Sequence, residues 1–164
     1  MPSLYPELLF NVVLIEPEIP NNTGNIGRTC VGLWSRLHLV GPLGFSIDDK
    51  QLKRAGLDYW EHLDFVYHPS RQQWSEKMAP ESRVHLIETS GDKSIYDIDF
   101  QPGDHLVFGR ETTGLPQDIL EKYKEHVYRI PFPGQLRSFN LSNCVAMVAG
   151  EGWRQLQKKR GLSC

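Results

Sequence analysis

Cysteine is scarce in this chain of 164 residues: Cys30, Cys144 and Cys164 are odd in number and share no C-x-x-C spacing. That argues against a disulfide framework and against a zinc site, and for a reducing compartment. The six histidines, His38, His62, His68, His85, His105 and His126, include no H-x-x-x-H pair, so no metal is expected. Long apolar runs are missing as well. Leu8 to Ile15 is broken by Asn11, has no basic stretch ahead of it and is too short for a bilayer, which makes a cytoplasmic protein without a membrane partner the simplest expectation. Charge of one sign is not in excess either, the net being −2. A polyanionic partner would therefore have to be held by local groups, and the short runs Lys53-Arg54 and Lys158-Lys159-Arg160 read first as solvated helix faces. No repeat, low-complexity tract or linker divides the sequence, so residues 1–164 are expected to form a single domain.

What is present alternates. Apolar, β-branched runs at Phe10–Ile15, Arg36–Val40, Leu63–Tyr67, Arg83–Glu88, His105–Phe108 and Val127–Ile130 read as strands. Between them, helices are expected from Asn22 or Thr23 to Trp34, over Asp48–Ala55 with Gly56 as cap, over Ser70–Met78, and from Pro116 to Tyr123. Such alternation is the mark of an α/β fold, a mostly parallel sheet with helices on both faces. The last helix, running from the Asn140–Asn143 region towards Arg160, carries Leu141, Val145, Val148, Gly152 and Leu156 as one buried stripe. Gly150 and Gly152 lie in its interior, and each costs about 1 kcal/mol relative to alanine. The small face of Ala146 and Gly150 beside Trp153 therefore suggests a close helix–helix contact, within the chain or with a second copy.

Three polar stretches are expected at the carboxyl ends of strands, where open α/β sheets bind ligands. Asn21–Arg28 is glycine-rich but is neither a Walker A loop nor a G-x-G-x-x-G fingerprint. Gly109–Pro116 sets Glu111 among glycines, and Pro131–Asn143 concentrates Arg137, Ser138, Asn140 and Ser142 ahead of the last helix. One of Asn140, Ser142 or Asn143 is needed to cap that helix, but capping alone does not ask for the whole set. No G-x-S-x-G elbow is present, and neither Ser138 nor Ser142 has a histidine near it in sequence.

Four motifs in order, Glu16–Arg28, Arg54–Tyr59, Phe108–Pro116, and Ile130-Pro131 with Ser138–Asn143, resemble the SPOUT superfamily of S-adenosylmethionine-dependent RNA methyltransferases. Within it they are most similar to the TrmL/YibK-like tRNA ribose 2′-O-methyltransferases. The resemblance implies a C-terminal deep trefoil knot, which topology rules would not suggest. It implies a pocket for S-adenosylmethionine walled by Ile87, Glu88, Thr89, Gly109, Glu111, Ile130 and Ser138. It further implies methylation of the wobble ribose, cytidine or uridine 34 of tRNA, with Arg28, Glu111, Ser138 and Asn140 as the catalytic set, and a homodimer packed through the first and last helices. Two positions depart from the family pattern: Arg110 stands where several relatives have proline, and Gly150 where some have tyrosine ahead of the helix glutamate, here Glu151.

An in-line methyl transfer to a hydroxyl is largely a matter of positioning. The family's first-motif arginine, here Arg28, is often assigned as proton acceptor. A guanidinium keeps its proton in nearly all protein settings, so Arg28 is better suited to a phosphate or to the developing alkoxide, with phosphate or water taking the proton. The competing reading is an RNA-binding protein of the same fold without catalysis, for which Gly24-Asn25-Ile26-Gly27 would serve as a G-x-x-G loop. A dinucleotide-dependent dehydrogenase lacks its glycine fingerprint.

Overall fold

The computed structural model describes residues 7–48 and 50–162, apart from the side chains of residues 51, 53, 56 and 57. Cys164 thus lies outside the described residues, as do Asp49 in the second expected helix and the Lys53 side chain of the first basic run. Among the described residues, seven strands and five α-helices follow in the order β1 (Phe10–Ile15), α1 (Pro20–Gly32), β2 (Arg36–Val40), α2 (Lys50–Gly56), β3 (Phe65–His68), α3 (Arg71–Lys77), β4 (Val84–Ile87), β5 (Lys93–Ser94), β6 (Asp104–Phe108), α4 (Gln117–Lys122), β7 (Val127–Arg129) and α5 (Leu141–Lys159). The strands form one sheet in the order β3-β2-β1-β6-β4-β7-β5, and every pairing is parallel.

A parallel sheet covered on both faces needs strands without a polar side, and β1 shows it residue by residue. Val12 and Leu14 enter one core with Ile26, Leu106, Phe108, Val145 and Val148. Val13 and Ile15 enter the other, with Trp74 of α3 and Ile119 of α4. Helices α1 and α5 lie beside each other over the first face. Every member of the expected α5 stripe is buried: Leu141, Val145, Val148, Gly152 and Leu156. Among the described residues no helix is long and apolar enough to cross a membrane.

The polar stretch Asn21–Arg28 lies wholly within α1, which starts at Pro20, ahead of the expected Asn22 or Thr23, and ends at Gly32 rather than Trp34. The helix starts at Pro20, whose fixed φ and missing N–H suit the first helical position. Gly27 is buried where a Cβ would stand 3.1 Å from Leu63 Cδ2 and 3.3 Å from Trp60 Cζ3, so this glycine serves close packing against the 3₁₀ segment Leu57–His62. That segment and the two-residue β5 were not expected from sequence; both are too short to show a period. Pro116 is the N-cap of α4 rather than its first residue.

Candidate active site

A cavity of about 750 Å³ opens at the carboxyl ends of four neighbouring strands, β1, β6, β4 and β7. The register sets Leu14, Phe108 and Ile87 level, and Ile87 level with Tyr128, so the segments leaving these strands reach the same depth. Chain order runs outward from β1 through β2 to β3 and then crosses to β6 and β4 on the other side. The cavity lies beside this switch in direction, where such sheets leave room for a ligand. Ile87, Glu88, Thr89, Gly109, Glu111, Ile130, Ser138 and Asn140 all line it. Arg28 does not.

The Gly109–Leu115 segment is a tight turn. Arg110 and Gly114 exchange backbone hydrogen bonds of 3.0 Å each way, a bridge that a proline at position 110 could not complete because it has no N–H to donate. A Cβ on Gly109 would overlap the carbonyl carbon of Gly114, and Gly114, at φ 71°, leaves no room for a Cβ beside the Glu88 carboxylate. Glu88 holds the turn from β4, accepting the N–H of Leu115 at 2.8 Å and that of Thr89 at 2.8 Å. The Arg110 side chain turns away to pair with Glu16, a buried residue in the left-handed region at φ 52° whose carboxylate also takes Arg71 Nη1 at 2.5 Å.

Glu111 ties this turn to α1. The helix has no capping side chain of its own. Instead, Glu111 accepts the N–H groups of Glu18 at 2.8 Å and Ile19 at 3.0 Å, and Asn22 Nδ2 at 3.3 Å. A carboxylate here satisfies unpaired helix-start donors and lies at the favourable end of the helix dipole. Asn22 Oδ1 accepts from Asn140 Nδ2 at 3.0 Å, and Asn140 Oδ1 caps α5 by accepting the Ser142 and Asn143 N–H groups at 2.9 and 3.4 Å. One polar chain, Glu111–Asn22–Asn140, therefore joins the turn after β6 to the starts of α1 and α5. Asn22, 6 % exposed, was not singled out by sequence reasoning; the signal that was there is an amide two residues after a proline that opens a helix.

The segment Pro131–Asn140 arches over the cavity. Its ends are clipped by Phe132 and Phe139, whose rings meet edge to face with centroids 4.8 Å apart, while Leu136, Arg137 and Ser138 are exposed between them. Cys144 lines the wall below, and burial pushes its thiol pKa up to about 11, so it is a neutral packing group. Arg28 is the ninth residue of α1, and its guanidinium lies over the Tyr59 ring at 5.0 Å from the centroid. No carboxylate meets it among the described residues. Neither is there, among them, a group of three or more His, Cys, Asp or Glu placed to hold a metal.

Comparison with known proteins agrees with this geometry. Residues 9–150 match the SpoU rRNA Methylase family. A tRNA (cytidine(34)-2'-O)-methyltransferase of Saccharophagus degradans is 49% identical over 149 residues, covering 90% of this chain and 96% of that protein. One of Polaromonas sp. is 50% identical over 150 residues, covering 90% and 91%. A solved structure described as "Structural insights into the 2-OH methylation of C/U34 on tRNA" superposes with a TM-score of 0.88 at 42% identity, over 91% of this chain and 97% of that one. The SpoU methyltransferase AviRb from Streptomyces viridochromogenes, in complex with the cofactor AdoMet, shares the fold at a TM-score of 0.77 and 24% identity, over 94% of this chain and 60% of that one. With nearly its whole length matched, the turn after β6 and the start of α5 included, the chain belongs to the SpoU methylase family.

Proposed function

We propose that this protein transfers a methyl group from S-adenosylmethionine to the ribose 2′-hydroxyl of the wobble nucleotide, cytidine or uridine 34, of tRNA. The observation that carries the reading is the cavity at the β1–β6–β4–β7 edge, built from the segments that the SpoU match spans. Its residues suit the cofactor: Ile87, Phe108, Ile130 and Leu141 offer apolar walls for a purine, and Thr89 and Ser138 offer hydroxyls for polar groups. When bound, the cofactor supplies an electrophilic methyl on a sulfonium. The chain's part is to position the hydroxyl and to stabilise charge as it develops. Ser138 and Asn140, which line the cavity, hydrogen-bond the ribose or the cofactor in this reading, Asn140 through the Nδ2 hydrogen that Asn22 does not take. Glu111 keeps the turn and both helix starts in register. Among the described residues no carboxylate meets Arg28, and because it lies outside its own chain's cavity it acts on RNA that reaches the outer face of α1, or on RNA held by a second copy.

Three finer features belong to the same proposal. The segment from β7 through the 131–140 arch into α5 passes through a chain loop to form a trefoil knot, a reading supported by the insertion of β7 between β4 and β5 and by the return of α5 across β1 to Phe10. Two copies dimerise through α1 and α5, a reading supported by exposed Trp34 just past α1, exposed Met147 and Trp153 on α5, and Gly150 facing open space. The setting is the cytoplasm, where tRNA is found.

Calorimetry in excess chelator should show S-adenosylmethionine binding unchanged; loss of binding would break the metal-free reading. Arg28→Ala should abolish methyl transfer to tRNA while leaving cofactor affinity nearly unchanged. Arg28→Lys should recover little, because lysine lacks the planar fork. Wild-type turnover in Arg28→Ala, or a parallel loss of cofactor binding, would overturn that role.

A further inference from the structure

We propose that Arg129 and Arg137 form a phosphate clamp at the mouth of the cavity, gripping the RNA backbone next to the nucleotide whose ribose enters it; this rests on the proposed ribose methylation. The case is one of charge accounting. Arg36, Arg71, Arg83, Arg110 and Arg154 each meet a carboxylate. Arg129, at the end of β7, and Arg137, in the arch, meet none among the described residues, and both are exposed while lining the cavity.

The acids of the same cavity do not answer them. Glu88 accepts from the Thr89 and Leu115 N–H groups, and Glu111 from Glu18, Ile19 and Asn22. Arg110, the third arginine of the lining, is occupied by Glu16. Among the described residues, these two guanidinium forks thus remain in the lining without a carboxylate partner, in a protein whose net charge is −2. Long-range attraction cannot hold a polyanion to such a protein, so the grip has to be local and bidentate, which is what planar guanidinium offers a phosphate.

Binding of an unmodified tRNA transcript, measured between about 50 and 200 mM salt, tests the clamp through the slope of log affinity against log salt. Arg129→Ala and Arg137→Ala should each flatten that slope by about 0.7, the single-strand value per phosphate neutralised, and weaken binding about tenfold. Arg→Lys at either position should keep the slope and lose part of the affinity. Affinity for S-adenosylhomocysteine, measured without RNA, should not change. A loss there matching the loss of activity would assign the two arginines to the cofactor's carboxylate and overturn the clamp. Should an alanine variant fail to fold, Arg→Gln at the same position carries the test with the same expectations. Wild-type slope and affinity in the variants of a methylating enzyme would overturn the clamp alone; a wild-type protein that neither binds nor methylates tRNA would overturn the functional reading with it.

Discussion

Glu111 joins stability and site in a single side chain. Its carboxylate does the work of the N-cap that α1 lacks, and it does so from 89 to 93 residues away in sequence. Glu111→Ala should lower stability by about 0.5–2 kcal/mol, the range for a lost helix cap, readable as a lower urea midpoint. Because the same carboxylate holds Asn22, and Asn22 holds Asn140, activity should fall further than stability predicts. Sequence reading placed Glu111, Ser138 and Asn140 together from the motifs that carry them, and the cavity brings those three together. Arg28 joined them only through the resemblance of its motif; α1 carries it to the ninth helical position, where it does not line the cavity.

Among the elements, α5 shows how two glycines two residues apart can answer to different constraints. A Cβ on Gly152 would stand 2.6 Å from Phe10 Cζ and 2.9 Å from Phe100 Cδ1, whereas one on Gly150 would meet nothing within 4 Å. Gly152→Ala should therefore cost about 1–3 kcal/mol through overpacking. Gly150→Ala should add about 1 kcal/mol through helix propensity. Gly150→Leu should leave the monomer folded and break the dimer, seen as a smaller species in sedimentation; an unaltered dimer would move the interface elsewhere. The buried stripe of α5 was legible because its period is helical. Which glycine the core requires was not, since that depends on Phe100 and Phe10, 52 and 142 residues away in sequence, which only folding brings against Gly152.

For the whole molecule, the alternation of strands and helices and the unbroken apolar runs gave away a doubly covered parallel sheet, while the order β3-β2-β1-β6-β4-β7-β5 depends on contacts that no local period records. Three histidines, His68 buried and His38 and His105 half-buried, set a pH limit on this fold. His38 donates from Nε2 to Asn11 Oδ1 at 3.0 Å and accepts at Nδ1 from His68 Nε2 at 3.0 Å, the tautomers that the Asn11 oxygen selects. Burial, followed by repulsion from His68 and His105, lowers the His38 pKa to about 3, and burial also lowers His68 and His105. The unfolded chain therefore binds protons that the folded chain refuses, and stability should fall as pH drops from about 6.5 towards 3, by at most about 1.4 kcal/mol per pH unit from His38, with His68 and His105 acting in the same direction. Urea midpoints at falling pH should show this decline, and His38→Gln should make it shallower. The most direct measurement remains nucleoside mapping of unmodified tRNA after incubation with the protein and labelled S-adenosylmethionine. The expected result is a 2′-O-methylated cytidine or uridine at nucleotide 34; an unmethylated tRNA, a methylated base, or a methylated ribose at a different nucleotide would contradict it.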